Sequence, residues 1–260
     1  MPAVATTAVP VRTADLRRCS PLETLVELSL PLPWLALALF ATSHGWYPLT
    51  ALASFYFFLT GLRVSHNAFH GALGLSARAT DAVLVVLSVA MLGALHAVRT
   101  THLVHHRHCM DERDVEGRVG RVSAARALLA GPAFAVAIHV AGWREATRAV
   151  RAWIVLELAA NAAWLATVWL LSDVPALRVH TLLMVGAYSL SAFFAVWSVH
   201  RGCGPRDGAR TLRSRWKSRL SYAMFFHDEH HRYPAIPTCH LGELARRLDA
   251  AGRPPGPTVW

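Results

Sequence analysis

The sequence predicts an all-α integral membrane protein: four transmembrane helices in two hairpins, two interfacial helices, and a cytoplasmic cap rich in histidine. Three observations carry that prediction. Hydrophobic residues fill 54% of the 260 positions and charged residues only 16%, where a soluble globule carries about a quarter charged; mean hydropathy is +0.33. Long apolar runs account for the deficit, near the roughly 17–25 residues that a membrane-crossing helix needs. The 26 basic residues, which leave a net charge of +10, gather on one side of a four-span arrangement. Disordered, collagen-like and disulfide-framework proteins are excluded. Cys19, Cys109, Cys203 and Cys239 form no CxxC pair, so a reducing compartment is the simpler reading.

The first two spans are expected over 28–43 and 48–64, joined by the turn His44-Gly45-Trp46-Tyr47. The second pair, 153–171 and 176–199, is separated by Ser172-Asp173-Val174-Pro175. Between the pairs lie two weaker apolar stretches, 82–98 and 124–140, the second containing Gly131-Pro132. Charge decides whether these cross, because basic residues near span ends favour the cytoplasmic side. With four spans, the outer turns hold only Arg178, and Arg12, Arg17, Arg18, Arg63, Arg78 and all later clusters lie inside. Six spans would put Arg99, Arg107, Arg113, Arg118 and Arg121 outside. The middle stretches are therefore assigned to the interface. Residues 1–252 read as one domain and the Pro-rich tail 253–260 as disordered. No cleavable signal is expected, since the first apolar run starts late and lacks a small-residue cleavage site. The Arg- and Ala-rich composition suggests a GC-rich bacterial genome and hence the inner membrane, with both termini cytoplasmic.

Nine of the fifteen histidines fall in pattern. His66 and His70 form HxxxH just past the second span. His102, His105 and His106 form HxxHH, and so do His227, His230 and His231; His200 ends the fourth span. Residues three and four apart share a helix face, so each box presents imidazoles in one direction. The arginine-based topology puts all nine on the same side. A zinc site takes four ligands, so nine nitrogens exceed one metal and suit two. Imidazole serves zinc, copper, iron and nickel alike.

These boxes around two hydrophobic pairs resemble the membrane fatty acid desaturase and hydroxylase superfamily. The context of the third, Phe225-Phe226-His227-Asp228-Glu229-His230-His231-Arg232-Tyr233-Pro234, with Ala209-Arg210-Thr211-Leu212 before it, is similar to the acyl-lipid desaturase branch. The resemblance runs from the first span to Leu248. It implies a non-haem di-iron centre on the nine histidines, dioxygen as co-substrate, and oxidation of a fatty acyl chain or membrane lipid to a double bond. It also implies an interfacial helix between the first two boxes. Some family members carry an asparagine four residues before the histidine matched by His200; here that position is Val196, with Asn161 or Asn67 as substitutes. No fused haem-binding carrier is present, so a separate electron donor is expected, such as a ferredoxin or a b-type cytochrome with its reductase.

The same centre could instead serve a hydroxylase, ketolase or oxidative decarboxylase acting on an acyl chain or carotenoid. A histidine-rich transporter would place ligands at the bilayer midplane, and a haem protein would need only two axial histidines. Ligating imidazoles donate their second N–H to carboxylates or carbonyls. Asp228, Glu229, Asp111 and Asp114 are candidates for that role, with Asn67, and with Glu157 and Asn161 on one face of the third span. His108 reads as a surface or supporting residue, and His44, His96, His139, His180 and His240 lie outside the boxes. The basic run from Arg210 to Arg219 suits anionic lipid or an acidic carrier. No nucleic-acid partner is expected.

Overall fold

The computed structural model describes residues 10–204 and 208–259; residues 1–9, within the expected domain, and Trp260 of the tail lie outside them. The described chain is all helical apart from one isolated bridge between Thr211 and Thr258. Helices α1 (Pro21–Ser29), α2 (Pro31–Ser43) and α3 (Tyr47–Phe69) come first. Then follow α4 (Ala77–Met91), α5 (Leu95–His108), α6 (Ala124–Leu129), α7 (Gly131–Glu145) and α8 (Arg148–Ala166). The remainder are α9 (Pro175–Ser191), α10 (Ser198–His200), α11 (Arg215–Leu220), α12 (His227–Arg232) and α13 (Leu241–Ala250). Helix starts follow the local chemistry. Ser20 and Glu23 form a capping box on α1, Ser76 and Thr147 cap α4 and α8, and prolines occupy the first turns of α2, α3, α7 and α9, where the missing N–H costs nothing.

Among the described residues three helices are long and apolar enough to cross a membrane: Pro21–Ser43, Arg148–Leu171 and Pro175–His200. The bent pair α4 and α5 adds a fourth if it counts as one span. Their apolar side chains point outward, Leu170 and Leu171 being 79% and 80% exposed, as lipid-facing surfaces do. Helix α3, expected as the second span, has the length but is less apolar. Its C-terminal half carries Thr60, Arg63, Ser65, His66 and Asn67, all but His66 buried inside the protein.

Helix α2 packs along α3. Of the second expected pair, α9 packs on α7, α2 and α3, and meets α8 chiefly at the π-helical end Thr167–Leu171. Polar clamps explain the divergence. Asn161 Nδ2 donates to Gly93 O at 2.8 Å and Glu157 accepts from Ser88 Oγ at 2.7 Å, holding α8 against α4 and α5. Helix α7 lies against α5 and α9 through two glycines. A Cβ on Gly142 would sit 2.1 Å from Ala97 O, and one on Gly131 2.0 Å from Ser189 O.

Three further expectations are corrected. The stretch 82–98 is not one helix but the end of α4 and the start of α5, which cross at 109°. Leu92 takes φ +57° at the break. The exposed backbone donors of α5 are each met: Ala94 N by His139 Nε2 (3.1 Å), Leu95 N by Ser88 Oγ (3.0 Å) and His96 N by Glu157 Oε2 (3.1 Å). Unpaired backbone in an apolar setting is costly, and this polar cluster removes that cost. Likewise 124–140 divides into α6 and α7 at Ala130. The tail expected to be disordered is packed through Val259. Val259 is fully buried beside Val199 and Leu212, its N–H donates to Thr211 O at 3.0 Å, and Thr211 N donates to Pro257 O at 2.9 Å. Pro/Gly composition signals a loop, but not whether that loop finds partners.

Candidate metal centre

The nine box histidines come from four separate places. His66 lies on the last turn of α3 with His70 at its C-cap; His102, His105 and His106 line one side of α5; His200 ends α10; His227, His230 and His231 occupy α12. Helix α12 is a short turn of six residues, so its placement depends on what surrounds it. Phe226 and Ile236 at its flanks pack with Leu241, Leu244 and Leu248 of α13.

The structure sorts the imidazoles into two cages. His66, His70, His102, His106 and His230 form the first. Its Nε2 atoms follow one another at 3.1 Å (His70 to His102), 3.1 Å (His102 to His106) and 2.9 Å (His106 to His230). The second contains a closed ring of Nε2 atoms: His105 to His200 at 3.1 Å, His200 to His227 at 3.0 Å, His227 to His231 at 3.1 Å, and His231 to His105 at 3.3 Å. Hydrogen bonds between imidazoles do not account for this pattern. His105 Nδ1 donates to Asp114 Oδ2 at 2.8 Å and His102 Nδ1 to Glu116 Oε1 at 3.1 Å. In the neutral imidazole each Nε2 then carries a bare lone pair, and each faces two further nitrogens. A square with edges near 3.1 Å has a centre about 2.2 Å from its corners, close to the 2.0–2.1 Å of a zinc–imidazole bond. His66 Nε2 is buried with no hydrogen-bond partner among the described residues, as expected of an electron pair directed at a cation. Burial, and after it the neighbouring imidazoles, hold His227, His230 and His231 well below the ordinary histidine range. Neutral imidazole is the form that binds metal. Two adjacent cages thus have the donor set and spacing of a di-metal site.

The residues that orient these ligands are only partly those expected. Asp114 is fully buried and accepts from His105 Nδ1, Met110 N (2.8 Å) and Gly117 N (2.8 Å), fixing both the imidazole and the loop after α5. Glu116 on the same loop supports His102; burial pushes its carboxyl up to about 7. Sequence reasoning missed Glu116, since nothing local marks one acid of Asp111-Glu112-Arg113-Asp114-Val115-Glu116 over another.

Six other expected supporters serve elsewhere. Asn67 Nδ2 donates to Glu27 Oε2 at 3.0 Å and its Oδ1 accepts from Thr238 N and Oγ1. It belongs to a buried network in which Arg63 pairs with Glu27. Glu157 bonds His96 Nδ1 at 2.7 Å, and Asn161 bonds Gly93 O; both hold the α4–α5 break. Asp228 accepts from Gly256 N at 2.8 Å and pairs with Arg232. Glu229 accepts from Thr211 Oγ1 and from Arg213 Nε, both at 2.6 Å. Asn67 is thus engaged at both ends of its amide, and Asn161 through its Nδ2. Asp111 bonds His108 at 2.9 Å. His44, His139, His180 and His240 each bond backbone carbonyls.

Asparagine at position 114 is expected to weaken metal retention about 10- to 100-fold, the usual effect of losing an outer carboxylate. The amide presents N–H to donors it should accept from. Metal content after dialysis measures this, and full retention in Asp114→Asn would remove Asp114 from its orienting role.

A cavity of about 560 Å³ opens onto the cages. Phe55, Phe58, Phe134, Leu183, Phe194 and other apolar side chains line it, and His66, His102, His227 and Glu116 also stand in its wall. Trp216, Lys217 and Leu220 of α11 line it as well. Of the cations in the run from Arg210 to Arg219, two are engaged internally. Arg210 bonds Arg201 O and Thr258 O, and Arg213 pairs with Glu229 and Asp249.

No curated protein and no solved structure matches the chain. The family model described as fatty acid desaturase matches residues 41–260, a region containing all nine histidines, both cages and the cavity. By that match the chain belongs to the fatty acid desaturase family.

Proposed function

We propose that the protein is an oxygen-dependent, di-iron membrane desaturase that introduces a double bond into a fatty acyl chain. The observation that carries this reading is the junction of the apolar cavity with the histidine cages, through His66, His102 and His227. Its volume falls in the range of about 300–1,000 Å³ typical of small-ligand sites, and its wall suits methylenes rather than a polar substrate.

Two irons bound in the cages would supply the activation of dioxygen and, with two external electrons, the removal of hydrogen from adjacent methylenes. The chain's own part is positional. Asp114 and Glu116 keep the Nδ1 protons of His105 and His102, so that Nε2 points inward. Phe58, Phe69 and Phe134 exclude water beside the cages and hold the acyl chain by dispersion and burial. The cages lie on the cytoplasmic side in this reading, with both termini. Arg215, Lys217 and Arg219 of α11 form a basic, aromatic rim suited to anionic lipid headgroups, with an acidic electron carrier as the other candidate for that surface.

Lipid profiling of cells expressing the chain, beside the variant His230→Ala, tests the reaction. A new unsaturated acyl species present only with the parent chain is expected. A hydroxylated or shortened product would move the assignment to sister chemistry at the same centre.

A further inference from the structure

The two cages hold unequal numbers of imidazoles. Five surround the first, whereas the second has the four-membered ring of His105, His200, His227 and His231. A fifth donor atom stands beside that ring. The sulfur of Cys109 lies within 4.8 Å of the ligand atoms of His105, His200 and His231, which come from three different elements. Bonds of about 2.3 Å to sulfur and 2.0–2.1 Å to nitrogen span about 4.4 Å across one metal, so that separation fits a shared ion. Cys109 is the C-cap of α5, one turn beyond His105. The same loop then returns through Asp114, which binds His105 and so ties the thiol's position to that of the imidazole. The thiol is half-buried and in no disulfide, and Sγ makes no hydrogen bond among the described residues.

We propose that Cys109 is the fifth donor of the second cage, binding its metal as a thiolate. This inference rests on the di-metal reading above. On coordination the S–H bond breaks, its proton passes to solvent, and both electrons of that bond stay on sulfur to form the metal–sulfur bond; no oxidant or reductant is involved. The second site then differs in kind from the first. Thiolate is a softer, anionic donor than imidazole, so the two metals sit in inequivalent fields although each has five donors.

Cobalt(II) alone, loaded into the purified, metal-stripped full chain, is the probe. Thiolate bound to cobalt gives an intense near-ultraviolet charge-transfer band that imidazole ligands do not. Expected is binding of two cobalt ions per chain with that band in the parent protein, and loss of the band in Cys109→Ser and Cys109→Ala with two ions still bound at saturating cobalt. Two ions without the band in the parent, or a band that survives both substitutions, overturns the assignment of Cys109 and leaves the two cages standing. A folded parent chain that binds no cobalt overturns the di-metal reading itself, and this inference with it.

Discussion

Alanine at His102 is expected to strip the first cage of its metal and abolish turnover. His102 Nε2 lies 3.1 Å from the Nε2 atoms of both His70 and His106, the centre of that cage's chain of nitrogens, while its Nδ1 is fixed by Glu116. Loss of an outer partner alone costs about 10- to 100-fold in affinity or activity. Loss of this ligand should therefore exceed a hundredfold and leave product at the level of cells lacking the protein. Acyl-product yield and metal content report it together. The second cage has its own ring of ligands, so one metal per chain should remain. Retention of both metals in His102→Ala would mean that the cages are not built as described.

Leucine at Glu157 is expected to destabilise the fold rather than the chemistry. The carboxylate is fully buried and accepts from Ser88 Oγ, His96 N and His96 Nδ1, all at the 109° break between α4 and α5. Each buried group left unpaired costs about 1–3 kcal/mol. Removal of their common acceptor should cost about 3–5 kcal/mol, in line with breaking a buried charged network. Thermal unfolding in detergent measures the loss. Glu157→Gln, which keeps one acceptor oxygen, should lose less. A midpoint for Glu157→Leu equal to the parent's would show that the break is held by other contacts.

That cluster also marks where the sequence stops being legible. The gathering of histidines was readable because the spacing within each box is local: three or four residues apart on a helix is one face, whatever the fold. The α4–α5 break was not. Apolar character runs unbroken through Met91, Leu92, Gly93, Ala94 and Leu95, and the groups that stabilise the turn there, His139 and Glu157, sit roughly 45 and 60 residues away. The pairing of α8 and α9 was not legible for a related reason. Hydropathy does not tell one apolar helix from another, because lipid is as apolar as leucine. Partners are chosen by small residues and polar side chains, here Gly131, Gly142 and Asn161.

Arg63 teaches the same lesson about charge. Its position at the expected inner end of a span marks it as cytoplasmic by charge counting, yet it is buried against Glu27. Composition locates charges along the chain, and pairing decides whether they meet water. The carboxylates around the cages divide in the same way. Asp228 and Glu229 adjoin ligands in sequence but turn away to the tail and to Arg213, while Glu116, ten residues beyond His106, folds back onto His102.

That nine histidines form two neighbouring metal cages is tested most directly by iron analysis of the intact protein purified from iron-replete cells. Two irons per folded chain, with a Mössbauer spectrum of two coupled high-spin sites, is the predicted result. A folded, membrane-extracted chain that holds no iron and takes up none under anaerobic reconstitution would contradict it.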